Sequence, residues 1–509
     1  MPSTPLSVES KQFPGNRLEL FILSVTLALV LIMAARIPLD TDMFWHLSAG
    51  KQIFTSGVLR TTDIFSFTRP GVFWLDHSWL PDVGMYLLFA SGGFAALGAF
   101  VAVAAVLSLA ILWFQLEGSA WIKAFLIILA GMVASGNWSA RPQILTLVMM
   151  AATGLVLYRY KRKGKKEAWL LPILALVWAN LHAGFLVLFM LVGLMIAGEA
   201  LNHLLGMKGG QTLSWKSIRN LAFWGLASAL VVNINPNGFL IWLAPLRENV
   251  GISLALTLIS EWASPNFHDP FFVPFLIMVF GTLTAIALSV RRMDLTDLLT
   301  FLWFSGMALV SQRNMGIFAL ASAPILSREL FAAWMSNRKY LPVDRIHSWF
   351  EKHVPAKESG HSVFRGQHVL NLLIFGILAF VGILKLAYVS TPALVNTYTA
   401  QSYPVGAVAW IKANKPQGNL FNSYNWGGFL TWYLPSYPVF IDGRVDPYGN
   451  EIIGEWVSVV DADPDWQSIL DQWGVHLILL EPDRPLVKEL PGAGWHLLFQ
   501  DPVSVLYGK

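Results

Sequence analysis

The chain has 509 residues, of which 55% are hydrophobic and 13% are charged, and its mean hydropathy is +0.55. Because a soluble globular protein carries about 25% charged residues, this composition excludes an ordinary soluble enzyme. Cysteine is absent, which excludes disulfides, iron–sulfur clusters and catalytic or metal-binding thiolates. The charge is unevenly placed: residues 392–509 hold 6 Lys and Arg against 12 Asp and Glu, whereas residues 1–391 hold 29 against 19.

The hydrophobic residues form repeated runs, most of them long enough to cross about 30 Å of hydrocarbon as a helix. These runs predict eleven transmembrane helices, at 18–36, 93–115, 120–136, 140–157, 168–181, 183–203, 218–234, 271–290, 296–312, 314–330 and 369–390. Residues 1–17 precede the first of them, and the marginal run 82–92 is predicted to be a helix along the membrane surface. The predicted fold is a polytopic α-helical membrane domain, residues 18–391, followed by a smaller domain.

The basic loops set the predicted orientation. Cytoplasmic loops of membrane proteins are enriched in Lys and Arg, and the loops at 159–166 and 328–368 are strongly basic. With a cytoplasmic N-terminal segment and eleven spans, these loops lie in the cytoplasm, whereas the large first loop 38–81, loop 235–270 and the acidic tail lie outside. We therefore predict an integral protein of the plasma (inner) membrane. Nucleic acid is not an expected partner, because the positive charge lies in short loops between apolar runs.

Residues 392–509 differ in character from the rest of the chain. Residues 404–414 and 466–473 have helical spacing, whereas the short runs 419–422, 439–441, 475–480, 495–499 and 503–507 are typical of strands. Their total length lies within the usual range of a domain. This part of the chain is predicted to be a small extracytoplasmic α/β domain.

The first outer loop opens on two carboxylates, Asp40 and Asp42, and His46 follows four residues after Asp42 on a predicted helix. Two carboxylates in a D-x-D pattern can share a hard divalent cation such as Mg or Mn through oxygen ligands. Alternatively, one of them can act as a general base, or the pair can be a helix cap and a surface acid. The same loop continues to Asp76 and His77 among aromatic residues, although His77 can equally be a structural histidine.

Further polar residues lie at the predicted outer ends of the spans. They are Arg141, Gln143, Asn180, His182, Glu261, Trp262 and Arg313. Polar groups near the membrane usually face a cavity or a partner, and their placement on one side predicts a single outward-facing cavity. The alternatives are arginines that snorkel to the interface and, for His182, a hydrogen bond between helices.

A D-x-D pattern at the start of the first outer loop, short surface helices and many spans together resemble the GT-C class of membrane glycosyltransferases. This class includes protein mannosyltransferases and the catalytic subunit of oligosaccharyltransferase. The resemblance implies a polyprenyl-phosphate-linked sugar as the donor, with Asp42 and Asp40 as catalytic or metal-binding carboxylates. A divalent cation, Mg or Mn, is the one cofactor considered, with no cofactor as the alternative.

The tail is similar in order to that of the oligosaccharyltransferase catalytic subunit. An A-x-W-like helix with Ala409-Trp410-Ile411 precedes Asn425-Trp426-Gly427-Gly428, and Arg444 and Asp446 follow. That family has a Trp-Trp-Asp core in its motif, which contacts the hydroxyl residue of the acceptor sequon. The departure here leaves room for another acceptor, such as a lipid-linked glycan or a different polymer. Trp426 can alternatively be a core residue at a bend, and Asp442-Gly443 before Arg444 can be a hairpin turn.

The predicted function is the transfer of a sugar from a polyprenyl-phosphate-linked donor to a glycan, lipid or protein acceptor on the extracytoplasmic face. Asp42 would deprotonate the acceptor, Arg313 or Arg141 would contact the phosphate, and Asp40, Glu261 or His182 would hold a metal or orient the sugar. One alternative is a secondary transporter, which is disfavoured because no internal repeat is evident and the polar sites lie at one face. Another is a non-catalytic membrane scaffold whose tail domain binds a partner.

Overall fold

The computed structural model describes residues 16–207, 212–244, 259–289, 294–337 and 365–509. The predicted N-terminal segment 1–17 and loop 328–368 therefore lie largely outside the described residues. The helices of the membrane domain are α1 (Asn16–Ala34), α2 (Met43–Ser56), α3 (Trp79–Trp113), α4 (Ala120–Ala134), α5 (Ile144–Arg162), α6 (Leu170–Ala179), α7 (Leu186–Leu204), α8 (Trp215–Val231), α9 (Val273–Leu288), α10 (Leu295–Val310), α11 (Met315–Asn337) and α12 (Arg365–Val389).

Every apolar run predicted from the sequence overlaps one of these helices. Among the described residues, eight helices are long and apolar enough to cross a membrane, and α6 and α10 are shorter apolar helices. The mostly helical membrane domain is thus confirmed, while the count of eleven spans stays a prediction. The helices pack through a shared core in which the largest fully buried side chains include Trp113, Trp178 and Phe318.

The marginal run 82–92 lies in a helix of its own, as predicted. It is the first part of α3, in which Gly93 has φ 58° and ψ −144°, outside the helical region, so two helices meet there across a kink. Glycine adopts a positive φ without the steric cost that a side chain brings. The position of the first of these helices along the membrane surface stays a prediction.

The C-terminal domain contains a small mixed sheet. Its strands are β1 (Asn419–Asn422), β2 (Val475–Leu480), β3 (His496–Gln500) and β4 (Val505–Gly508), in the order β1-β2-β4-β3. β1 and β2 are parallel, and the other pairs are antiparallel. Its helices are α13 (Pro392–Ser402), α14 (Val405–Asn414), α15 (Gly427–Tyr433), α16 (Gly449–Val460), α17 (Trp466–Gln472) and α18 (Pro485–Glu489).

The strand predicted at 439–441 is instead an extended segment of the C-terminal domain that contacts the first loop. Val439 forms isolated bridges with Ser66 of the first loop and with Leu420 of β1. The hydroxyl of Thr68 also donates to the carbonyl of Phe440 at 2.6 Å. Because Val439 pairs with both Ser66 and Leu420, this segment joins the first loop to the sheet but does not form a strand of its own.

Helix α2 lies against α3 at a contact that only glycine allows. A Cβ at Gly50 would lie 1.9 Å from the carbonyl oxygen of Asp82. We therefore expect Gly50→Ala to lower the free energy of unfolding by about 1–3 kcal/mol, the usual cost of overpacking. Gly84→Ala is the matched control, because its Cβ would meet open space and should stabilise the helix by about 0.5–1 kcal/mol. Thermal unfolding in detergent measures both, and an equal response of the two variants would contradict this close packing.

Candidate active site

A cavity of about 490 Å³ lies where the first loop, several helix ends and the C-terminal domain meet. We call it the central cavity. Most of the residues predicted to form the site line it, namely Asp42, His46, Asp76, His77, Arg141, Gln143, His182, Glu261, Trp262, Arg313 and Arg444. These residues lie far apart in the sequence, and the packing of the helices brings them together. The exceptions are Asp40, Asn180 and Trp426.

Arg141 lies at the centre of the carboxylates in this cavity. Its Nη1 donates to Asp42 Oδ2 at 2.9 Å and its Nη2 to Glu261 Oε1 at 2.5 Å. Its Nε lies 3.2 Å from Asp40 Oδ2, which places Asp40 in the same cluster although it does not line the cavity. With its amide oxygen turned toward the guanidinium, Gln143 accepts from Nη2 at 2.8 Å. Arg141 is buried, so snorkelling to the interface does not describe it.

Asp42 occupies the N-cap position of α2 but makes no side-chain capping hydrogen bond. Its side chain points to Arg141 instead, and its backbone N–H donates to Asp40 Oδ1 at 2.9 Å. Burial raises the pKa of Asp42, and the Arg141 guanidinium opposes that rise. The carboxylate therefore combines higher basicity with a fixed orientation, which is what a general base requires.

His46 and Asp82 form a buried pair beside Asp42. The ring Nδ1 of His46 lies 2.7 Å from Asp82 Oδ1, and the ring stacks on Trp45 with centroids 3.5 Å apart. Burial lowers the pKa of His46 well below its ordinary value, so the ring is neutral. The contact between Nδ1 and Asp82 fixes the orientation of this neutral ring at the cavity.

Asp76 is buried in the wall of the cavity, where its Oδ1 accepts from the backbone N–H of Ser78 at 3.0 Å. Burial, followed by the nearby Asp82, raises the pKa of Asp76 to about 8. His77, next in the chain, meets His182 with ring centroids 5.5 Å apart. Asp76 is thus a protonated carboxyl near neutral pH.

The raised pKa of Asp76, about 8, makes stability depend on pH. The folded protein keeps a proton that the unfolded chain loses near pH 4, so this contribution declines as pH rises from about 4 to about 8. The side chain that Asp76→Asn introduces cannot ionise. We therefore expect this variant to lose less thermal stability than the wild type as pH rises over that range. Above about pH 8, the difference in stability between the variant and the wild type should stay constant. The exposed Asp465→Asn is the control. Parallel pH profiles of wild type and Asp76→Asn would contradict the raised pKa.

His182 and Asn180 lie in the break between α6 and α7. His182 Nδ1 accepts from the backbone N–H of Gly184 at 2.9 Å and lies 3.1 Å from Thr146 Oγ1, so the predicted bond between helices is present even though the ring lines the cavity. Asn180 Oδ1 accepts from Trp79 Nε1 at 3.3 Å, and its Nδ2 donates to the carbonyl of Ile234 at 3.0 Å. Asn180 therefore holds the chain around the site and does not face the cavity.

Arg313 supplies a second guanidinium. Its Cζ lies 4.7 Å from the centre of the Trp262 ring, a cation–π distance. Glu261 is near both arginines. Burial raises the pKa of Glu261, but Arg141 and, to a smaller extent, Arg313 lower it by more than burial raises it. The pKa of Glu261 therefore lies below its ordinary value. Trp262 and Glu261 belong to one short helical turn, Ser260–Trp262, which sets both side chains at the cavity.

Arg444 lines the cavity, yet its nitrogen atoms point to buried carboxylates. Nη1 donates to Asp63 Oδ1 at 2.7 Å, and Nη2 to Asp442 Oδ2 at 2.8 Å. Its Cζ also lies 4.7 Å from the centre of the Trp74 ring. Trp426 is buried and donates from Nε1 to the carbonyl of Ser402 at 3.0 Å, the geometry expected of a core residue at a bend.

Sequence reasoning missed several residues of the cavity wall. They are Trp45, Trp74, Tyr424, Asn425, Asp446, Trp456 and Arg484. Trp45 and Trp74 could have been identified from the density of aromatic residues in the first loop. Asn425 and Asp446 lie in the stretch that resembles the oligosaccharyltransferase tail. Trp456 and Arg484 had no signal, because only the packing of the C-terminal domain against the first loop brings them to the cavity.

The fold is similar to that of solved membrane glycosyltransferases. The archaeal oligosaccharyltransferase AglB from Archaeoglobus fulgidus, solved with an inhibitory peptide and a dolichol-phosphate, aligns at a TM-score of 0.59 and 11% identity over 91% of this chain and 69% of that one. The same organism's enzyme tethered to an acceptor peptide with an NVT sequon aligns at 0.54 and 13%, with the same coverage. ArnT from Cupriavidus metallidurans in the apo state aligns at 0.51 and 16% over 96% and 98% of the two chains.

The predicted resemblance to the GT-C class is therefore confirmed at the level of the fold. The similarity extends over most of the chain, so it includes both the helical domain and the C-terminal domain. No protein-family profile matches the sequence, and no curated protein matches it.

Proposed function

We propose that the protein is a membrane glycosyltransferase that takes its sugar from a polyprenyl-phosphate-linked donor. The observation that carries this proposal is the convergence of Asp42, Arg141, Glu261 and Arg313 on one cavity within a GT-C fold. The AglB structure holds a dolichol-phosphate, which supports a lipid phosphate as the group that this cavity receives.

Each side chain has a role that follows from its charge and contacts. The acceptor hydroxyl gives its proton to Asp42 as its oxygen forms the bond to the anomeric carbon of the sugar. The bond between that carbon and the phosphate oxygen breaks, and the lipid phosphate leaves with the electron pair. Arg313, held over Trp262, offsets the charge on the leaving phosphate. His46 and Asp76 are placed to hydrogen-bond the sugar.

The proposal includes a location. The basic loops favour a cytoplasmic N-terminus, so the cavity and the C-terminal domain, residues 392–509, face the extracytoplasmic side of the plasma (inner) membrane. The acceptor is then a glycan, lipid or protein on that side. The small residues Gly427 and Gly428, where the oligosaccharyltransferase motif has larger ones, favour an acceptor other than a peptide sequon.

The test uses the purified protein in lipid vesicles with labelled polyprenyl-phosphate sugars. We expect the label to move to an acceptor lipid or glycan and polyprenyl phosphate to be released. We also expect polyprenyl phosphate alone to raise the thermal unfolding temperature. Uptake of an unmodified solute into vesicles without release of lipid phosphate would favour the transporter. The absence of both release and stabilisation would favour the scaffold.

A further inference from the structure

Three carboxylates at the cavity surround the guanidinium group of Arg141, which occupies the space between them. Asp40, Asp42 and Glu261 each bind a different nitrogen of Arg141, at 3.2, 2.9 and 2.5 Å. The first loop, the segment before α5 and the turn at Glu261 supply these four groups, so distant parts of the chain meet at one cation. Burial would lower the pKa of Arg141, but the three carboxylates raise it, and the side chain stays charged.

Few oxygens of this cluster remain for a metal. Asp40 uses Oδ2 for Arg141 and Oδ1 for the backbone N–H of Asp42. Asp42 uses Oδ2 for Arg141, and Oδ1 is then the oxygen that takes the acceptor proton. Magnesium is typically held by one or two carboxylates together with water and phosphate oxygens, but each of these three carboxylates already uses an oxygen for Arg141. Across the described residues, the acidic and histidine side chains form no group of three that is placed to hold a metal.

Electrostatic repulsion also disfavours a divalent ion at these carboxylates. A divalent ion bound by Asp42 and Glu261 would lie within a few ångströms of the Arg141 guanidinium, which is buried and permanently charged. The second arginine, Arg313, also acts on Glu261. Like charges at such a distance repel each other. The positive charge that balances the carboxylates is already supplied by Arg141.

We propose that Arg141 is the built-in cation of this site and takes the place that the D-x-D pattern leads one to assign to Mg²⁺ or Mn²⁺. Arg141 is a positioning residue: it orients Asp42 toward the acceptor and neutralises the carboxylates, while Arg313 contacts the lipid phosphate. The catalytic part of this inference rests on the proposed function. The exclusion of a divalent ion does not, because metal binding is measured without any reaction.

The experiment is a titration of the EDTA-treated protein with Mn²⁺, followed by electron paramagnetic resonance. We expect the wild type to show no stoichiometric site at millimolar Mn²⁺. Arg141→Gln frees three carboxylates, and we expect it to gain one Mn²⁺ site per chain, which Asp42→Asn added to Arg141→Gln should remove. A wild-type site that Asp42→Asn abolishes would overturn the inference, and so would a folded Arg141→Gln protein without a new site. If Arg141→Gln does not fold, the wild type and Asp42→Asn decide the matter alone.

The transfer assay separates this inference from the proposed function. We expect EDTA to leave the transfer rate unchanged and Mn²⁺ not to raise it. If no lipid-linked sugar is transferred, the proposed function fails, while the Mn²⁺ titration still decides on Arg141. If transfer occurs and requires Mn²⁺ bound at Asp42, the proposed function stands and the inference about Arg141 is overturned.

Discussion

Asp42→Asn is expected to lower the turnover number of sugar transfer by about 10²–10⁴-fold, the usual contribution of a general base. The asparagine has the same shape and keeps an oxygen for the Arg141 contact, which is 2.9 Å in the wild type. It cannot take the acceptor proton. Because the lost interaction belongs to the transition state, kcat should fall while KM changes little.

The pH profile of the wild type gives a second measurement of the same role. Burial raises the pKa of Asp42, and a base works only when it is deprotonated. The rate should therefore fall as pH drops through that raised pKa. Asp465→Asn is the matched control, since Asp465 is an exposed carboxylate outside the cavity, and it should leave both rate and profile unchanged. A folded Asp42→Asn protein with normal turnover would remove Asp42 from the mechanism.

The helix ends that carry the site could be predicted from the sequence. Arg141 and Arg313 stand next to long apolar runs, and the length of each run fixes where its helix must reach the membrane surface. Consecutive helix ends alternate between the two sides of the membrane. Polar residues at every second helix end must therefore lie on the same side of the membrane. The same alternation predicts that Glu261 and His182 share a face, and in the structure both line the central cavity.

The contacts inside the site could not be predicted in this way. The sequence offered Arg141 as a phosphate ligand and Asp40 with Asp42 as metal ligands, because spacing alone does not show that the guanidinium lies among the carboxylates. Arg141 and Glu261 are separated by 120 positions, and their pairing depends on how the helices pack. Hydrophobic patterns specify which face of a helix is buried, not which polar partner it meets.

The residues around Arg444 show the same limit and lead to the prediction with the largest effect on stability. The sequence predicts Arg444 as a substrate contact, with a hairpin turn at Asp442-Gly443 as the alternative. In the structure, Arg444, Asp63 and Asp442 form a triad whose side chains are 1%, 0% and 0% exposed. Asp63 belongs to the first loop and the other two to the C-terminal domain, so this triad joins the two parts of the cavity wall.

We expect Arg444→Met to lower the free energy of unfolding by about 3–5 kcal/mol, because removal of one partner leaves buried carboxylates without a counter-charge. Methionine fills much of the arginine volume, so the loss reflects charge more than a cavity. Thermal unfolding in detergent provides the measurement. Arg484→Met is the control: Arg484 is 31% exposed where it pairs with Glu481, and loss of such a pair costs about 0–1 kcal/mol.

A second variant separates the unpaired charges from other consequences of the arginine's loss. Asp63→Asn and Asp442→Asn, added to Arg444→Met, remove both carboxylate charges that the arginine had neutralised. Replacing every member of a buried ion cluster is often close to neutral, so this triple variant should recover much of the lost stability. If Arg444→Met unfolds no earlier than Arg484→Met, the triad does not hold the first loop to the C-terminal domain, and a substrate contact becomes the better account of Arg444.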